Sequence, residues 1–277
     1  MKTLIVPTDF SPAAINAANY ALDMALEINA EVLLLHVYQI PVAITDTPLP
    51  LIDIDELKLI ANERLDKHRK ELEHIASRNI KITTQSALGN MSDELDQVSK
   101  KIQPFGVVMG TTGHSAIDRT LFGSNTLSAI KLLTCPVICV PMGKEYGTGI
   151  KKIGLACDFR EVAETIPAIS IKNFIKEFKG ELHILNVDHD QYGENKVTQQ
   201  QVSFLQASLQ ECNPQFHFIQ HKDIEEGINE FAENNNLDLI ITIPKKHKLL
   251  DHLFRKSSTK QLVFGSHIPV MCIHEEF

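Results

Sequence analysis

The chain is written twice. Lys2 to Phe10 recurs from Lys151 or Lys152 to Phe159, which sets Asp9 opposite Asp158, and Ala30-Glu31-Val32 recurs as Gly180-Glu181-Leu182, with Val37 opposite Val187. Phe105–Gly110 matches Leu237–Thr242, and Pro136–Val140 matches Pro269–Ile273. Within each half, short apolar runs alternate with helical patterns. In the first half the runs predict strands at 2–7, 31–37, 80–86, 105–109 and 136–140, and the helical periods fall at 12–28, 55–77, 91–102 and 124–133. Strand-helix alternation of this kind requires right-handed crossovers and a parallel sheet with helices on both faces. The expected fold is therefore α/β: two tandem doubly wound domains, each a five-stranded parallel sheet. A length of 277 residues gives each domain enough chain for its own core. The boundaries expected are 1–143 and 150–277, joined by a flexible glycine-rich linker at Met142–Gly149.

One loop of the first half carries a chemical signature. Val107-Val108-Met109-Gly110-Thr111-Thr112-Gly113 is followed, nine residues on, by Gly123-Ser124-Asn125. This G-x2-G-x9-G-S spacing leaves a buried strand and ends at a helix start. Glycines let backbone approach an anion closely, and the free N–H groups of a helix N-terminus face it. Ser124 is placed to cap that helix or to donate to a phosphate oxygen. Asp9 also follows a strand, and a carboxylate there can accept from a ribose hydroxyl or an adenine amine, or can serve as a cap or turn residue. Both features fall where ligands of doubly wound sheets sit, at the strand carboxyl ends.

The glycine motif, the opening Lys2-Thr3-Leu4-Ile5-Val6-Pro7-Thr8-Asp9-Phe10-Ser11, the run Glu31–Val37 and the run Cys135–Val140 together resemble a universal stress protein domain of the ATP-binding type. The resemblance covers the first half, and a degenerate version covers the second. It implies an adenine nucleotide alpha hydrolase-like fold with ATP or ADP at the strand ends, and Mg2+ as an ion that could bridge the phosphates. The implied contacts are Pro7, Thr8 and Asp9 after the first strand, Val37 after the second, then Met109, Gly110, Gly113, Gly123, Ser124 and Asn125 around phosphates and ribose. One departure is Gly106, where the family usually has Asp before the fourth strand. The family also pairs last strands between subunits. A tandem chain is thus expected to pair its own, as an intrachain pseudo-dimer, with a further homodimer left open.

The second half has lost the motif: Thr242 stands for Gly110, Lys245 for Gly113 and Arg255 or Lys256 for Gly123. Lys245-Lys246-His247-Lys248 is either a small-anion site or a solvated basic loop. Ile40–Pro50, with three prolines, is either a cover over the nucleotide or a plain connector. His36 and His183 lie in apolar strands and read as structural histidines. Cys139 and Cys272 fall at equivalent places, as two small buried residues or as thiols facing each other between the halves, close enough to crosslink.

A net charge of −8 argues against nucleic acid as partner. No run reaches the length of a membrane span, no signal peptide opens the chain, and five cysteines without metal spacing suit the cytoplasm. The sequence holds no Walker lysine, no kinase signature and no acid–base pair beside the expected phosphates. The reading that follows is an ATP-binding regulatory protein, which the family resemblance places in the stress response, with no catalytic residue and no protein-held metal assigned. Two alternatives stand beside it: a slow ATPase or phosphotransferase using the same pocket, and a scaffold whose second domain binds another ligand.

Overall fold

The computed structural model describes residues 1–40, 53–77, 79–111, 123–188, 198–244 and 258–274. Ten strands form one continuous sheet in the order β3-β2-β1-β4-β5-β10-β9-β6-β7-β8. In the first half these are β1 (Thr3–Pro7), β2 (Glu31–Tyr38), β3 (Ile82–Leu88), β4 (Gly106–Thr111) and β5 (Val137–Pro141). In the second they are β6 (Lys152–Ala156), β7 (Glu181–Asp188), β8 (Gln215–Gln220), β9 (Leu239–Thr242) and β10 (Val270–Cys272). Every pairing is parallel except β5 with β10, which run antiparallel with Val270 opposite Cys139, Met271 opposite Ile138 and Cys272 opposite Val137.

The first-half helices are α1 (Pro12–Ile28), α2 (Ile54–Ile75), α3 (Met91–Ile102) and α4 (Ser124–Leu132). The second half has α5 (Val162–Thr165), α6 (Ala168–Phe178), α7 (Gln199–Ser208), α8 (Ile224–Asn234) and α9 (Ser258–Gly265). α1 starts where Ser11 Oγ accepts from Ala14 N, with Pro12 at the first helical position, and ends at Asn29 in the left-handed region. Its counterpart in the second half is broken into α5 and α6 around Pro167, which lacks the N–H that a continuous helix needs.

Strand residues alternate between two cores. Leu4, Val6, Val108, Ile138, Ile153, Ile241 and Met271 face the side covered by α1, α2, α6 and α7, whereas Ile5, Val107, Cys139, Ile240 and Cys272 face α3, α4, α8 and α9. Sheets covered on both faces need such unbroken apolar strands. Each core runs through both halves, so the expected pair of separate cores is replaced by one core per face of the sheet.

The segment between the halves is not a free linker either. Asn16 Nδ2 donates to the carbonyls of Pro141 (3.3 Å) and Lys144 (3.2 Å). Tyr146 Oη donates to Glu27 Oε2 at 2.6 Å, Lys151 Nζ to Glu27 Oε1 at 2.7 Å, and the Tyr146 ring meets Tyr20 edge-on. Burial, with Asp238 and Glu27 adding at Tyr20 and Glu27 at Tyr146, drives both tyrosine hydroxyls well above their usual range, so they stay neutral. Its glycines answer turn geometry, with positive φ at Gly143, Gly147 and Gly149, while α1 fastens the rest.

Strand register also corrects the repeat by one residue. Phe105 N donates to Thr3 O and Asp238 N to Lys152 O, and Val107 and Ile240 donate to Pro136 and Pro269. Phe105 is therefore the partner of Asp238, and Gly110 that of Ile243 rather than Thr242. Asp238 Oδ2 accepts from both Lys151 N and Lys152 N at 2.8 Å, tying down the start of β6. Phe105 instead packs on Phe174 and Phe178 of α6, with ring centroids 5.9 and 6.4 Å away. The second half's acid therefore answers to position 105, not 106, and it acts at the amino end of β6.

Candidate functional site

Sheet order places the reversal point between β1 and β4, where β2 and β3 lie to one side and β5 to the other. Ligands of doubly wound sheets bind outside the strand carboxyl ends at such a point. Pro7 ends β1 and pairs with Leu35. Val37, half-buried, lies near the end of β2, and Met109 and Gly110 near the end of β4. The fold thus brings Pro7, Thr8, Asp9, Val37, Met109 and Gly110 to neighbouring ends of three adjacent strands. Gly123, Ser124 and Asn125 form the start of α4, whereas Gly113 lies outside the described residues, as do the Ile40–Pro50 segment from residue 41 on and the 245–248 basic run.

The turn after β1 is built from short side-chain hydrogen bonds. Thr8 is buried; its N–H donates to Leu35 O, and its Oγ1 accepts from Phe10 N at 3.0 Å. Asp9 is exposed and its Oδ1 accepts from Ser11 N at 2.9 Å, so it is a turn residue and Ser11 is the cap. Phe10 sits at φ 65°, in the left-handed region that few aromatic residues adopt. The second half repeats the device: Asp158 Oδ1 accepts from Arg160 N at 3.0 Å, Cys157 Sγ from Phe159 N, and Phe159 has φ 52°. A strained turn made twice by the same means is a built feature.

His36 closes the turn from the side. Its Nδ1 lies 2.7 Å from Thr8 O, and since a carbonyl only accepts, Nδ1 carries the proton. Asn186 does the same from β7, donating from Nδ2 to Cys157 O at 2.9 Å. The structural reading of His36 thus has its partner. His183 meets His217, Nδ1 to Nε2, at 3.0 Å.

Two of the motif glycines are fixed by close packing. A Cβ on Gly110 would lie 2.2 Å from the Ala13 carbonyl oxygen in the first turn of α1, a clash with backbone. Gly123 has φ 96° and is itself the N-cap of α4, so the cap residue brings no side chain to the helix. Ser124 is therefore the first helical residue and does not cap, because the glycine before it takes the turn. Ser124 and Asn125 are exposed, while Met109 puts its side chain into the core and leaves only backbone for a ligand. A Cβ on Gly123 would meet the Phe264 ring at 2.5 Å. Neither Ala13 nor Phe264 is marked by sequence, since both are distant in the chain and ordinary in kind.

The second half's strand ends carry different groups. Ile243 replaces Gly110, and Gln201 Oε1 from α7 accepts from Val162 N, at the start of α5, at 3.1 Å. Phe159 stacks with Phe216 and Phe218 of β8. Among the described residues no group of three or more metal-ligating side chains gathers, and no helix is long and apolar enough to cross a membrane.

Comparison with known proteins agrees with this architecture. The profile of the universal stress protein family matches residues 1–141 and again 149–274. A universal stress protein of Methanocaldococcus jannaschii is 31% identical over 147 residues, 52% of this chain and 84% of that protein. The crystal structure of a universal stress protein from Archaeoglobus fulgidus superposes with a TM-score of 0.71 at 22% identity, covering 99% of this chain and 98% of the other. A protein of unknown function from Pseudomonas aeruginosa PAO1 shares the fold at TM-score 0.61 and 12% identity, over 99% and 93% of the two chains. With two matches that span nearly its whole length and a fold to suit them, the chain belongs to the universal stress protein family, as a tandem member carrying the domain twice.

Proposed function

We propose that this chain is an adenine-nucleotide-binding regulatory protein of the stress response, with ATP or ADP held by its first half. The observation that carries the reading is the contrast between the halves. At the first half's strand ends the motif keeps Gly110 and the Gly123 N-cap, and α4 begins without a side-chain cap. At the second half's, Ile243 stands at the place of Gly110, and Gln201 from α7 accepts from the start of α5. Orphan N–H groups at the start of α4 suit phosphate oxygens, and Ser124 adds a hydroxyl donor. Asp9 uses Oδ1 within its turn, which leaves Oδ2 for a ribose hydroxyl or the adenine amine, with Val37 against the base. Gly113 would continue the phosphate loop, and Mg2+ would bridge the phosphates themselves.

Nucleotide held this way serves as a conformational ligand. It stabilises the state that binds it, and any downstream partner would read that state. The antiparallel β5–β10 ladder supports reading the two halves as an intrachain pseudo-dimer, in which one domain binds and the other frames it.

Thermal shift with ATP, ADP and GTP tests the reading. Adenine nucleotides should raise the melting temperature more than GTP. Asp9→Ala should weaken ATP binding roughly tenfold, as loss of a charge-assisted hydrogen bond does. Equal shifts with ATP and GTP, or an unaffected Asp9→Ala variant, would count against it.

A further inference from the structure

The second half reaches into the first half's glycine motif. α4 is held by second-half residues at both of its ends. At its N-terminus the Phe264 ring of α9 lies so close to Gly123 that a Cβ there would stand 2.5 Å from two ring carbons, Cε1 and Cζ. At its last turn His274 Nε2 donates to the Ile130 carbonyl, one of the four that a helix cannot satisfy from within. Between these points, Ala129 and Ile130 of α4 share a core with Leu262 and Val263 of α9.

We propose that Phe264 is a positioning residue of the first half's phosphate site, so that nucleotide bound by one half is gripped through a side chain of the other. The inference rests on the nucleotide reading above. Gly123 is the residue through which Phe264 acts. Its carbonyl accepts from Leu127 N at 2.8 Å and so begins the helix, while its own φ of 96° sets the direction in which the following N–H groups point. A ring packed on that residue fixes the direction. It also excludes any larger residue at 123, since both the space and the left-handed backbone admit only glycine. Under the repeat the counterpart of Phe264 is Lys131, which has no ring to offer.

Two consequences separate positioning from mere packing. Phe264 acts on the groups that would meet phosphates, so its removal should damage ATP binding more than adenosine binding. By reciprocity, ATP bound at α4 should stabilise α9.

The experiment uses the full chain. Calorimetric titration with ATP and with adenosine is run on wild type, Phe264→Ala and Phe264→Leu. The expected result is that Phe264→Ala loses ATP affinity about fivefold or more while adenosine affinity moves much less, and that Phe264→Leu recovers most of the loss. Equal losses for both ligands, or unchanged ATP affinity in a folded Phe264→Ala protein, overturn the proposal. If Phe264→Ala does not fold, hydrogen exchange on wild type decides. Slower exchange at 258–265 on adding ATP supports it, and protection confined to the first half overturns it. A wild type that binds no ATP removes the nucleotide reading itself and this inference with it, a result distinct from both of those failures.

Discussion

Gly110 stands near the end of β4 against the first turn of α1, where no side chain fits. The motif marks it, and the spacing correctly ties it to a strand end. Its physical reason is a contact 97 positions back along the chain, because the Ala13 carbonyl oxygen fills the place where a side chain would stand. Gly110→Ala is therefore expected to destabilise the protein by about 3 kcal/mol or to prevent folding, as overpacking against immovable backbone does. Chemical denaturation measures this, and a loss near zero would mean that α1 can shift away from β4. Asp9 is legible only in part. Its position after a strand is clear, but its role as a turn residue beside the true cap, Ser11, appears only once Phe10 is seen in the left-handed region. Phe264 leaves no trace in sequence, since its meaning comes wholly from the residue it touches.

Elements with strong local signals fall where sequence expects them. α1 and α3 span 12–28 and 91–102 as predicted, because Ser11 with Pro12 and Asn90 are strong start signals and left-handed Asn29 and Gln103 end them. β3 lies two residues later than expected, at Ile82–Leu88: an edge strand, buried at Ile82 but exposed over the next three positions, carries little apolar pattern. The one-residue slip at β9 has the same origin, since an all-apolar run such as Leu239-Ile240-Ile241 has no alternation to fix its register. β7 and β8 also carry a pH-sensitive contact. Burial, and for His183 the neighbouring His217, lower both histidine pKa values below the ordinary 6.5, with Glu181 opposing and Lys152 assisting at His183. Their hydrogen bond needs one bare nitrogen, so protonating both rings breaks it. The folded state thus binds fewer protons than the unfolded chain as pH falls below about 6.5, and the stability that these groups contribute, complete above that pH, is lost as pH drops toward the lowered folded values. Denaturation across pH 7 to 5 should show the loss, and His183→Gln with His217→Gln should flatten it. An unchanged slope in the double variant would refute this assignment.

At the scale of the whole molecule, the halves are joined more tightly than a tandem repeat requires. One sheet runs through both, each face has a shared core, and the segment between them is fastened to α1 by Asn16 and Glu27. Sequence reads this segment as a flexible linker because glycine-rich composition marks turns and linkers alike. The partners that hold it, Asn16, Tyr20 and Glu27, lie more than a hundred residues earlier. Cys139 and Cys272 sit on one face of the central ladder, each one step from the Ile138–Met271 pair. The Cys139 thiol beside it, hydrogen-bonded to Cys272, and full burial hold the Cys272 thiol well above its usual range, which keeps it protonated and unreactive. The register sets the two diagonal rather than opposite across the strands that join the halves. The shared cores predict one cooperative unfolding transition by calorimetry, and two resolved transitions would show that the halves melt independently. Isothermal titration of the full chain with ATP decides whether nucleotide binds at the glycine-bearing strand ends of the first half alone. About one ATP per chain is expected, bound where α4 starts on Gly123. Two equivalent sites per chain, or none, would contradict it.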